Sequence, residues 1–437
     1  MSNMNRRDFL KVSAGLAGGA AAGVPLVATA QTAWKPEKGA KLRVLRWKRF
    51  VAGDEDQYMK NVAAFTKKTG VEVRVDNESW EDVRPKAAVA ANVGSGPDII
   101  LSTFDDANLY PEKLLDVTDL AEYLGKKYGG WYDVCRQYLQ PGGKRWIGLP
   151  LGAAGNTFVY RISQMKEAGF DSFPKDTAGF LKLAKALKAK NHPLGFALGN
   201  ATGDGNTWTH WLLWSFGGRL VDEKNNVVVD SPQTLQALEY AKELYQTFVP
   251  GTLAWLDPNN NKAFLDDQIS ITENGISIYY AAKTSQDPKL KAMAADIGHA
   301  NLPIGPVGKA TELLLFFNQM IFKYTKFPNA AKEYLRFMME KEQYFPWQEA
   351  SIGYVTHPLK AYESNPIWTS DPKHTPYRDC MKIMLPNSYG GKPGYASAQS
   401  MADFIVVNMI AEAASGSKTP KEAAERAQKR AERYYKV

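Results

Sequence analysis

The 437-residue chain predicts an α/β protein of two lobes, each a mostly parallel sheet flanked by helices and the pair joined by hinge strands. Three observations carry that expectation. Strand and helix signals alternate as β-α-β-α-β across residues 42–101, an order that builds a parallel sheet with helices on both faces. A second series of helix and strand signals starts near Phe173. Between them, residues 146–170 hold two short apolar runs, 147–151 and 157–160, interrupted by Gly148, Pro150, Gly152 and Gly155. Their β-branched and aromatic content suits strands, and glycine and proline bend the path. This stretch is expected to cross between the lobes, and crossings of that kind let a cleft close over a small ligand. An ordinary pair of buried strands is the plainer alternative.

In chain order, 42–47 reads as a first strand, and Gly53-Asp54 opens a helix with Tyr58, Val62 and Phe65 on one face and Gly70 at its end. Val71, Val73 and Val75 alternate with polar residues as a second strand. Ser79–Asp82 leads into a helix with Pro85 expected in its first turn, ending at Gly94, and 97–101 forms a third strand. Beyond the crossing, a helix carries Phe180, Leu183, Ala184 and Leu187, and 194–198 reads as a strand. The Gly- and Asn-rich loop 199–207 then enters a helix beginning near Trp208. Trp211 and Trp214 are expected to face the core. A helix over 231–248, an Asn274-Gly275 turn, a β segment over 313–322 and a helical C-terminal stretch of about 40 residues complete the reading.

Hydrophobic content of 44% with 23% charged residues is that of a globular protein with a real core. The net charge of +8 is spread among 46 acidic residues. Its one local basic cluster (Arg426, Lys429, Arg430, Arg433, Lys436) is interleaved with Ala424, Ala427 and Tyr434, the solvated face of a terminal helix, so nucleic acid is not expected as a partner. Asn5-Arg6-Arg7-Asp8-Phe9-Leu10-Lys11 is a twin-arginine pattern, followed by a Gly- and Ala-rich segment ending Ala28-Thr29-Ala30. A signal peptide over 1–30, cleaved after Ala30, and export to the periplasm are expected. The two cysteines, Cys135 and Cys380, leave a disulfide and a pair of buried thiols equally open, and the five histidines are dispersed. No metal and no cofactor is expected.

Ligands of open α/β sheets gather beyond the carboxyl ends of the strands. There the chain places Trp47-Lys48-Arg49, Asn77-Glu78-Ser79-Trp80 and Ser102-Thr103-Phe104-Asp105-Asp106. Each pairs an aromatic ring with charged or hydroxyl groups. Rings pack on the C–H face of a sugar, and carboxylates and amides bond its hydroxyls, a mix that suits a polyhydroxylated ligand. Trp80 and Phe104 suit a core equally well. Trp208, at a helix entrance whose amides point toward an oxygen-rich ligand, is a further candidate. Loop 199–207 lacks the Lys-Ser/Thr ending of a phosphate loop.

The order of several pieces resembles a family. They are the opening from Trp47 to Gly70, Gly94-Ser95-Gly96-Pro97-Asp98-Ile99-Ile100, and Gly148-Leu149-Pro150 leading to Tyr160-Arg161, followed by Glu167-Ala168-Gly169-Phe170, residues 211–218 and Ala413-Ala414-Ser415-Gly416. Together the mature chain resembles the extracellular solute-binding proteins of ABC importers, in the carbohydrate-binding group of maltose-binding protein (family 1). The resemblance implies a two-lobe periplasmic-binding-protein fold, with 31–152 and 312–350 in one lobe and 153–311 and 351–437 in the other. It implies a monomer, without enzymatic activity, that binds a sugar, oligosaccharide or polyol between the lobes and delivers it to the permease subunits of an ABC transporter. The matching positions are Trp47, Glu78, Trp80, Asp105, Asp106, Asn156, Asn206 and Trp208, with Asn274 and Tyr354 at the later hinge and loop. Lys48-Arg49 departs from the family in being unusually basic and leaves room for an anionic ligand; the twin-arginine signal is also less usual. The rival class is a secreted glycosidase or lyase using Glu81-Asp82, Asp105-Asp106 or Asp266-Asp267. Neighbouring residues diverge on strands and helices, which makes contiguous carboxylates poor catalytic pairs.

Overall fold

The computed structural model describes residues 34–436, and the twin-arginine stretch and the Ala30 cleavage site lie outside them. The body from Pro36 onward contains two sheets. The first has the spatial order Glu72–Glu78, Lys41–Trp47, Ile99–Thr103, Leu315–Ile321, Leu149–Ala154. Strands β1 (Lys41–Trp47), β2 (Glu72–Glu78) and β3 (Ile99–Thr103) are parallel, in register from Lys41 opposite Glu72 to Trp47 opposite Glu78. Helix α1 (Ala52–Thr69) stops at Gly70 and α2 (Trp80–Val93) at Gly94, each glycine in the left-handed conformation that ends a helix. Because α2 begins at Trp80, Pro85 lies in its second turn and not its first, where it removes the donor the Glu81 carbonyl would otherwise take.

Strand β4 (Leu149–Ala154) carries a register shift between Pro150 and Gly152, as a proline inside a ladder requires. Gly152 has φ +153°, and a Cβ there would stand 2.3 Å from the Thr356 carbonyl oxygen, so only glycine fits. After Ala154 only two residues precede β5 (Thr157–Arg161), which belongs to the other sheet. The crossing therefore occupies Gly155 and Asn156.

The second sheet corrects the expectation of a mostly parallel one. Its three strands run β6-β5-β7, and β5 is antiparallel to both β6 (Ile271–Asn274) and β7 (Ile297–Ala300). Residues 194–198 are not a strand. Leu194, Gly195 and Leu198 donate to Thr247, Ile271 and Thr252 in turn, so the extended segment is satisfied by three different partners and forms no ladder. Helix α3 (Asp204–Ser215) starts four residues before Trp208 and is buried along its whole length. Helix α4 (Asp257–Leu265) packs beside β6.

The chain returns to the first sheet as β8 (Leu315–Ile321), antiparallel to β3 and β4. Helix Lys341–Ala350 packs on α1, and Thr356 bridges back to Ala153. The terminal helix Pro420–Ala431 buries Ala424 and Ala427, while Arg426 and Arg430 pair with Glu412 and Asp403. Cys135 and Cys380 are buried free thiols.

Candidate functional site

A small chamber lies where the two sheets meet. The first lobe supplies Phe50 and Trp80, the crossing Ala154 and Asn156, and the second lobe Asp204, Asp257 and Asn274; Tyr354 closes it. It holds about 20 Å³, room for roughly one water. Glu81 and Arg84 of α2 line, with Asn200 and Thr202, a larger chamber of about 360 Å³.

The aromatic wall is built in two layers. Trp80 stacks on Trp47 with ring centroids 4.5 Å apart and planes 12° from parallel, and Phe317 backs both rings. Trp47 is fully buried, and its indole N–H donates to Asp54 at 3.0 Å. Trp80 thus has a fixed backing and a face toward the chamber, and Phe50 stacks against Tyr354 at 6.2 Å.

The opposite wall is acidic. Asp257 accepts from the backbone N–H groups of Gly203 and Asp204, at 3.0 and 2.8 Å. The N-terminus of α3, expected to offer its amides to a ligand, is therefore already occupied by a carboxylate of α4. Asp204 accepts from the side-chain amides of Asn156 at 3.1 Å and Asn260 at 2.7 Å. Behind it, neither carboxylate oxygen of Glu273 has a well-formed hydrogen-bond partner, and the same holds for the Asn156 carbonyl oxygen. Burial pushes Asp257 up to about 6, and burial with mutual repulsion holds Asp204 and Glu273 well above the usual carboxylate range.

Of the residues singled out in the sequence, Trp80, Asn156, Asn274 and Tyr354 line this chamber together, and Trp47 stands one layer behind. Glu78 is turned to Lys86 on the surface. Asp106 is buried against Arg84 at 2.9 Å and Ser102 at 2.5 Å. Asp105, its neighbour, points elsewhere, toward the Asn387 amide at 2.8 Å and the Ser397 hydroxyl, and burial raises it to about 7. Trp208 lies inside the second lobe, donating to the Ala197 carbonyl at 2.7 Å and packed on Phe196 and Phe248, while Asn206 donates to Thr202. Arg49 is paired with Glu55 and Asp56 and does not line the chamber.

Sequence reasoning missed Phe50, Asp204 and Asp257, which line the chamber. Asp204 stands inside the loop that was noticed for its glycines, and its position at N1 of a helix was the available signal. Nothing local marks Asp257, whose partners are 53 and 54 residues away.

Residues 60–376 match the family described as bacterial extracellular solute-binding protein, and residues 3–23 match the signal sequence of the twin-arginine translocation pathway. A Deinococcus radiodurans protein named as an ABC transporter-binding protein is 24% identical over 294 residues, 65% of this chain and 68% of its own. A maltose-bound T. maritima protein superposes with a TM-score of 0.77 at 18% identity, over 90% of this chain and 99% of that one. An ABC transporter solute-binding protein from Agrobacterium vitis with bound D-mannitol gives 0.72 at 18% identity, over 90% and 98%. These likenesses fix the two-lobe fold.

Proposed function

Because the chain belongs to the bacterial extracellular solute-binding proteins, we propose that it binds a sugar, oligosaccharide or polyol between its lobes and delivers it, as a monomer and without turnover, to the permease of an ABC transporter. Its signal sequence directs it to the periplasm, with cleavage proposed after Ala30. Among the described residues no helix is long and apolar enough to cross a membrane.

The observation that carries the reading is the chamber itself. Aromatic faces from the first lobe stand opposite amides and carboxylates from the second, where the chain passes from sheet to sheet through Gly155 and Asn156. Flat apolar faces with convergent hydrogen-bonding groups suit a polyhydroxylated molecule. Trp80, Asn156, Asn274 and Tyr354 are the proposed contacts, with Asp204 and Asp257 added by the structure. Residues 31–152 with 312–350 are proposed as the first lobe and 153–311 with 351–437 as the second, although β4 of the first sheet runs on to Ala154 and the change of sheet follows it. The ligands of the maltose-bound and mannitol-bound proteins support the substrate class. An anionic ligand loses support, because Arg49 of the basic loop is paired with Glu55 and Asp56 and the chamber wall carries Asp204 and Asp257.

The test is a titration of the chain from Gln31 onward with sugars and polyols, followed by tryptophan fluorescence, with recovery of the bound compound. Saturable binding of an unchanged compound is expected. Conversion of the compound would replace the receptor reading with an enzymatic one.

A further inference from the structure

We propose that the larger chamber beside the crossing is a sugar subsite with Phe404 as its platform, so that the ligand is a disaccharide or longer and not a single sugar or alditol. The inference deepens the receptor reading and rests on it.

The first observation is size. The inner chamber, at about 20 Å³, takes no more than one hydroxyl of a ligand, whereas the outer one measures about 360 Å³. The two adjoin along both walls. Trp80 lines the inner chamber and Glu81 the outer, and on the second-lobe side Gly203 lines the inner and Thr202 the outer. A ligand anchored by a hydroxyl at the inner end therefore has its body in the outer space. That space has room for roughly twelve waters, and a hexose, with its atoms at bonded distances, fills about half of it. A single ring would leave the rest to water.

The second observation is the chemistry of the outer walls. Pro85 and Ala88 of α2 supply apolar surface together with Leu109 and Phe404. Glu81 and Arg84, three residues apart on one face of α2, supply an acceptor and a donor side by side. Both have capacity left. Glu81 Oε1 is enclosed without a hydrogen-bond partner among the described residues. Arg84 is paired with Asp106 and not with Glu81, giving Nε to Asp106 at 2.9 Å and reaching Thr103 with Nη2 at 3.4 Å, which leaves Nη1 uncommitted. Neighbouring hydroxyls of one ring, each both donor and acceptor, match such a pair.

The third observation is backbone strain at the cavity wall. Phe404 has φ +50° and ψ 39°, the left-handed region that a bulky side chain seldom enters. The conformation is fixed from both sides. Its N–H donates to the Met401 carbonyl at 3.1 Å, and its carbonyl accepts from the Asn408 N–H at 2.9 Å. Arg430 of the terminal helix pairs with the adjacent Asp403 at 3.0 Å. Glycine would adopt this geometry without cost, yet the position carries a half-buried phenyl ring that lines the chamber. Strain held in this way gathers at ligand clamps, and a ring face packs on the C–H surface of a sugar.

The experiment is calorimetry on the chain from Gln31 onward, with two-unit compounds set against their components. Maltose, cellobiose, laminaribiose, trehalose, lactose and sucrose are compared with D-glucose, D-galactose and D-fructose, and maltitol with D-glucose and D-sorbitol. At least one two-unit compound is expected to bind about tenfold tighter or more than either of its components. F404G keeps the backbone conformation without the ring. It should weaken that compound about tenfold, leave the components unchanged and hold the thermal transition at or above that of the wild type. F404Y, which keeps the ring, should keep the preference. Components that bind as tightly as their two-unit compounds would overturn the subsite and leave a receptor for single sugars or polyols standing. A full preference in F404G would overturn the platform. Silence from every compound would overturn both the subsite and the receptor reading.

Discussion

Two sets of buried carboxylates face different ways in this molecule. In the first lobe Asp54 is paired with Arg46 and takes the indole N–H groups of Trp47 at 3.0 Å and Trp347 at 2.8 Å, and Asp106 is paired with Arg84. In the second, Asp204, Asp257 and Glu273 are as deeply buried, and among the described residues none of them is paired with a guanidinium. A carboxylate that has a cation and two indole donors is held in its charged form inside the core, whereas burial pushes those that have only amides and backbone N–H groups toward the neutral form.

The comparison breaks hardest at Asp54. D54N leaves Arg46 buried without its counter-charge and should destabilise the fold by about 3–5 kcal/mol, read as a lower urea midpoint. An unchanged midpoint would mean that the pairing in the first lobe is not structural.

Asp105 sharpens it, as a first-lobe carboxylate whose partners are Ser397 and Asn387 and not a cation. Its folded value of about 7 lies above the ordinary 3.8. The stability tied to its proton is therefore fully present below about pH 4 and is lost as pH rises toward 7. D105N should remove about 4 kcal/mol of that pH dependence, and parallel Tm–pH curves for the two proteins would contradict the assignment.

At the cleft, W80A removes the outer layer of the indole stack. It should weaken binding of the best fluorescence hit about tenfold, close to 1.4 kcal/mol, and leave the thermal transition within a few degrees. Wild-type affinity in this variant would move the ligand away from the aromatic wall.

The smallest effect is expected at Glu273. Its raised folded value means that stability is highest in acid and falls as pH climbs through that value. E273Q removes the cost of ionising a carboxyl that burial and Asp204 hold above its ordinary range and should therefore stabilise the protein by about 1 kcal/mol at pH 8, and by less at pH 5. A loss of stability at pH 8 would show that the charge already has a partner.

Legibility followed sequence distance. The glycine stops at Gly70 and Gly94, the first three strands and the crossing are local signals, and the structure holds them. The antiparallel second sheet was hidden because β5, β6 and β7 meet across excursions of more than a hundred residues that leave no mark on any one strand. Residues 194–198 have strand composition but sit where three separate acceptors are available. At the site, Trp80 and Asn156 were readable from an aromatic after a strand and an amide at a bend. Trp208 misled because helix α3 begins a full turn earlier than its apolar pattern suggests, which carries the indole from the mouth to the interior. Asp105 and Asp106 were chosen together and serve two unrelated neighbours.

The two-residue passage from β4 to β5 has a mechanical consequence. A long linker would be a tether, with many torsions sharing any rotation between the sheets. Here Gly155 is wedged against the Cys380 side chain, with a Cβ position 3.0 Å from it, and the Asn156 side chain is bolted to Asp204 and Thr207. At this crossing, rotation is confined to a handful of backbone angles, with Asn156 at the axis. Such a joint behaves as an axle: displacements are smallest at the inner chamber and grow toward the rim, so a small guest seated at the axis would hold the far edges of both lobes in place.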